Sequence, residues 1–108
     1  MSTIQRHLEI KTGVVKRIYK EGLYYIKEKD QQQAKIDKMV ENGEDEYDIK
    51  KQREVLDETL RMIPDGKKRL AAAYQELQTL VLQNAEEPSV NATKEFKNAS
   101  ELLKEIEL

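Results

Sequence analysis

The sequence predicts an all-α fold, an elongated antiparallel three-helix coiled-coil bundle, and three observations predict it. Apolar residues recur in steps of three and four along most of the chain. Charged side chains make up 37% of the 108 residues against 38% hydrophobic and 6% aromatic, and only two prolines and four glycines interrupt the pattern. That balance suits long amphipathic helices with one buried stripe each. The length suits a single domain, 1–108, around one core.

The first helix is expected over 3–40. Ile4, Leu8, Lys11, Val15, Ile18, Gly22, Tyr25, Lys29, Gln32, Ile36 and Met39 follow one another in alternating steps of four and three. Such spacing puts all of them on one seam. Lys29 and Gln32 make the seam polar near its middle, so packing is expected to loosen or shift there. Asn42-Gly43 tolerates left-handed backbone and ends the helix, and Asp48 is the expected cap of the next one.

The second helix is expected over 48–83, on Ile49, Gln52, Leu56, Thr59 and Ile63 and then on Lys67, Leu70, Tyr74, Leu77 and Val81. Apolar spacing continues across Pro64. A proline in a helix interior removes a donor and crowds the preceding turn, at roughly 3 kcal/mol. Continued spacing favours a kink over a break, with Pro64-Asp65-Gly66 as the bend. Pro88 and Ser89 are helix-start residues, and Ala92, Phe96, Ala99, Leu103 and Ile106 define a third, shorter helix over 89–107. Short connections make neighbouring helices antiparallel.

Charge is segregated. Residues 1–41 carry nine basic and six acidic side chains, and residues 42–66 carry four and eight, within a net charge of −2. The first helix is locally basic and the turn after it acidic. A chain with no broad positive excess is poorly matched to nucleic acid or to an anionic membrane. With no cysteine there is no disulfide framework and no thiolate site. No leader-like apolar segment opens the chain, and Leu80-Val81-Leu82 is far too short to span a bilayer. These features fit a cytoplasmic protein. The triplets beginning at Asn91 and Asn98 match glycosylation acceptors but fall within the helical pattern, and read as chance matches.

Nothing points to catalysis. His7 is the sole histidine and stands near a terminus, where fraying and an incidental role are expected. The glycines form no phosphate-cradling loop, and Gly66-Lys67-Lys68 lacks the rest of a P-loop. Glu44-Asp45-Glu46 lacks calcium-loop spacing, so no metal or other cofactor is expected. Tyr19, Tyr24 and Tyr25 cannot all face one core. At least one of the three is expected to be exposed: either Tyr25 fills the seam while Tyr19 and Tyr24 lie flat on the rim, or an exposed ring meets a partner. The chemistry is that of a binding protein whose faces, not a cleft, meet a partner. A structural coiled-coil module that homo-oligomerises through Leu23, Ile26, Val55 and Leu82 is the alternative.

Four segments carry a closer resemblance: Lys11-Thr12-Gly13-Val14-Val15-Lys16-Arg17, Tyr47-Asp48-Ile49-Lys50-Lys51-Gln52, Arg61-Met62-Ile63-Pro64-Asp65, and Arg69-Leu70 with Ala73-Tyr74. In order and spacing, from about Ile10 to Leu82, they resemble the tubulin-specific chaperone A family, also called tubulin-folding cofactor A. Gly66 departs from the family pattern, which usually has a larger residue after the Pro-Asp pair. The resemblance implies a non-catalytic, cytoplasmic, cytoskeleton-associated chaperone, monomeric alone. It implies that the protein captures β-tubulin one-to-one after chaperonin release and passes it toward heterodimer assembly with other tubulin-folding cofactors. It also implies a three-helix bundle interrupted in its second helix at the proline. Because β-tubulin is acidic as a family, the candidate contacts are a basic set with one tyrosine: Lys16, Arg17, Tyr24, Lys50, Lys51, Arg53, Arg61 and Lys68.

Overall fold

A computed structural model describes residues 1–106. Among these the chain is all-helical: α1 Thr3–Glu41, α2 Glu46–Gln83, α3 Pro88–Asn91 and α4 Lys94–Glu105. It divides into two compact units. Unit 1 combines 1–20 with the chain from Lys68 onward, and unit 2 is Glu21–Lys67.

Each helix start, and the end of α1, has a local cause. At the start of α1, Ser2 Oγ accepts from the Gln5 amide (3.1 Å) while Gln5 Oε1 accepts from the Ser2 amide (3.0 Å). This reciprocal capping box closes the first turn of α1. At the other end Gly43 takes the left-handed conformation, φ 64°. Its amide donates to Val40 O (3.1 Å) and that of Glu44 to Met39 O (3.0 Å), the paired bonds of a Schellman stop.

Asp45, not Asp48, caps α2. Its Oδ1 accepts from the Tyr47 amide at 2.7 Å, so the helix starts at Glu46, two residues before the expected position. Asp48 instead lies in the first turn, where its charge complements the positive end of the helix. The helix then runs through Pro64 to Gln83 as one element, so two separate helices do not form there.

The third helix expected over 89–107 is in fact two. Thr93 adopts an extended backbone (φ −77°, ψ 155°) and its Oγ1 accepts from the Phe96 amide at 3.2 Å, starting α4 afresh. The same hydroxyl donates to Val90 O at 2.6 Å and ties the break to α3. The one-turn α3 is itself capped by Glu87, which accepts from the Ser89 amide, with Pro88 at the first helical position. The expected helix end at 107 lies outside the described residues.

Unit 1 holds the larger core. Leu8 and Val15 of α1, Leu77 of α2, Val90 of α3, and Ala99, Leu102 and Ile106 at and after α4 are buried together. Ala92, expected on the buried seam, is exposed, and Val90 is buried instead, because the break at Thr93 resets the helical phase. Tyr19 packs against this core, and the Tyr74 hydroxyl donates to Leu103 O at 3.1 Å. At the surface Lys11 pairs with Glu76 at 3.2 Å, a contact that contributes little in water.

In unit 2 the four-residue connection 42–45 returns the chain antiparallel. Its buried side chains are Ile36, Met39 and Leu56 with the polar Gln32 and Thr59. Thr59 Oγ1 donates back to Val55 O, but Gln32 Oε1 is buried with no partner. The polar middle of the seam is therefore real, and it is Gln32 that is enclosed. Lys29 stays part-exposed beside Asp30, at 3.7 Å.

Candidate partner-binding faces

The helices leave a set of charged and aromatic side chains exposed. All eight expected contact residues are on the surface: Lys16, Arg17, Tyr24, Lys50, Lys51, Arg53, Arg61 and Lys68. Lys16, Arg17 and Lys68 belong to unit 1, and the other five to unit 2. They do not make one stripe. A helix turns about 100° per residue, so Lys16 and Arg17 diverge, as do Lys50 and Lys51. Lys50 and Arg61, eleven residues apart, share a face of α2, with Arg53 at its edge.

Two of the candidates have a local anchor. The Lys51 ammonium lies over the Tyr47 ring, 5.4 Å from its centroid, a cation–π contact across one helical turn. Tyr24, 61% exposed, meets Tyr25 edge-on with ring centroids 5.9 Å apart. Tyr25 is half-buried, as the seam predicts. These contacts orient an ammonium and a phenol without covering either.

Sequence reading missed a second arrangement in unit 2. A groove of about 540 Å³ is lined by Lys35, Lys38, Met39, Asn42, Glu44, Asp48, Lys51 and Gln52. The spacing Lys35-x-x-Lys38 places two ammonium groups on one side of α1, a signal present in the sequence. Only the return of α2 adds Lys51 to them. In unit 1 a smaller recess of about 270 Å³ is lined by Glu9, Thr12, Lys94, Glu95 and Asn98, with Thr12 Oγ1 buried and unpartnered. No group of three or more His, Asp or Glu side chains is gathered for a metal ion among the described residues, and none of the helices there is long and apolar enough to cross a membrane.

A family model described as Tubulin binding cofactor A matches residues 3–103. The chain belongs to the tubulin binding cofactor A family. A human relative, Tubulin-specific chaperone A, is 49% identical over 104 residues, covering 95% of this chain and 93% of the relative. Among solved structures, human tubulin chaperone cofactor A superposes with a TM-score of 0.80 at 43% identity, covering 97% of this chain and 99% of that one. Tubulin folding cofactor A from Arabidopsis thaliana gives the same TM-score at 37% identity, with 94% of each chain covered. The cofactor A family thus shares both the all-helical fold and nearly the full length of this chain, α3 and α4 included. The resemblance read from residues 10–82 alone covered less.

Proposed function

We propose that this protein is a non-catalytic chaperone of tubulin folding, which captures β-tubulin after chaperonin release and holds it one-to-one for heterodimer assembly. The observation that carries the reading is the family match across residues 3–103, together with 49% identity to a relative named Tubulin-specific chaperone A. Exposure of all eight candidate side chains supports contact through helix faces, with Lys16, Arg17, Lys50, Lys51, Arg53, Arg61 and Lys68 meeting an acidic partner and Tyr24 adding an aromatic anchor. In this reading the protein works in the cytoplasm in association with the cytoskeleton, as a monomeric single domain that meets other tubulin-folding cofactors. Within unit 1, α1, α2 and the α3–α4 pair act as a three-helix coiled coil; within unit 2, α2 bends at Pro64-Asp65-Gly66.

The test is co-purification with β-tubulin and with α-tubulin from a chaperonin-dependent folding reaction, read on a native gel. A discrete complex with β-tubulin alone is expected. No complex, from protein that circular dichroism shows to be helical, would overturn the reading. A second reading, self-association of a coiled-coil module, draws on the exposure of Leu23 (51%), Ile26 (41%), Val55 (45%) and Leu82 (67%). Sedimentation separates the two, since a mass that rises with concentration is expected only from the second.

A further inference from the structure

We propose that the groove lined by Lys35, Lys38 and Lys51 is a docking site for an acidic peptide segment of the protein partner, an inference that rests on the chaperone reading only for whose segment it is. Three exposed lysines line this one groove of about 540 Å³. Among the described residues none of the three lies within ion-pair reach of a carboxylate, including Glu44 and Asp48 in the same lining. Lys35 and Lys38 are therefore committed to no carboxylate, and Lys51 carries only its cation–π contact with the Tyr47 ring. Lys38 stands in the last turn of α1, but the carbonyls there already accept from Asn42, Gly43 and Glu44. Its ammonium is not needed as a helix cap.

The lining argues for a peptide over other anions. Met39 gives the groove an apolar side chain, and Asn42 and Gln52 supply side-chain amides able to bond an extended backbone. Glu44 and Asp48 in the same lining oppose a uniformly charged polymer such as a nucleic acid, whereas a peptide can place its carboxylates at the lysines and neutral residues beside the two acids.

The test uses the full chain and a fluorescein-labelled poly-Glu peptide, followed by fluorescence anisotropy at low and at physiological salt. Wild-type protein binds the peptide, and binding weakens with salt. Lys35→Glu/Lys38→Glu loses about tenfold or more in affinity, and Lys35→Gln/Lys38→Gln an intermediate amount. Lys20→Glu/Lys97→Glu, which changes net charge equally at exposed lysines outside the groove, binds as wild type. Circular dichroism and the urea midpoint are checked for each variant. No binding by wild type, equal loss in the Lys20/Lys97 variant, or tighter binding of polyuridylate than of poly-Glu overturns the proposal. The same variants are then offered β-tubulin. Capture by wild type and undiminished capture by Lys35→Glu/Lys38→Glu sinks the groove and leaves the chaperone reading standing. Peptide binding without capture of tubulin does the reverse.

Discussion

Gln32 shows at the scale of one residue what periodicity can and cannot predict. Its place on the seam was legible from steps of three and four, but its amide oxygen is buried without a donor, which depends on what α2 brings opposite. An orphaned buried acceptor costs about 1–3 kcal/mol. Gln32→Met, similar in volume and free of the amide, is expected to raise stability by about 1–2 kcal/mol in urea titrations. Gly66 and Gly43 behave oppositely to each other. A Cβ on Gly66 would meet nothing within 4 Å inside a helix, so Gly66→Ala should stabilise by about 0.5–1 kcal/mol. Gly43 sits at φ 64°, so alanine there should cost about 1 kcal/mol although the space is equally open. Thermal unfolding of the two variants, moving in opposite directions from wild type, checks both.

Among the elements, α1 and α2 follow directly from the sequence because a long apolar stripe outweighs any single local signal. Their ends were less legible. Asp45 and Asp48 are both good caps by residue type, and the choice turns on which carboxylate reaches a free amide, here Asp45 to Tyr47. The split between α3 and α4 was missed for a related reason. Ala92 extends the four-three spacing by coincidence, whereas the capping signal at Thr93 was present but lay inside an unbroken pattern. Thr93 holds both sides of the break through one hydroxyl. Thr93→Ala should therefore destabilise by about 1–2 kcal/mol in urea titrations, while Thr93→Ser, which keeps the hydroxyl, should avoid most of that loss.

Across the whole molecule, stability is distributed unevenly. Unit 1 encloses Leu8, Val15 and Leu77 fully, while unit 2 buries fewer apolar side chains and an orphaned amide. Amides of α1 and α2 within 21–67 are expected to exchange through smaller opening free energies than those of the unit 1 helices, as native-state hydrogen exchange in low denaturant would reveal. Leu77→Ala, at a site with 0% exposure, should cost about 2–5 kcal/mol of global stability. Of the binding surface, the exposed basic residues were legible singly, since a charged side chain off the apolar seam faces solvent. The gathering of Lys35, Lys38 and Lys51 into one groove was not, because it joins two helices across a turn. The sequence by itself determined the helical class, most of the α1 and α2 seams, with Ile4 and Lys67 exposed instead, and the family, because periodicity and short motifs are properties of consecutive residues. Only the tertiary structure decided which cap wins, where the third helical segment breaks, which polar group is enclosed and which lysines share a groove. Each of those depends on atoms brought together from distant positions or from competing neighbours, and a linear pattern does not encode that choice.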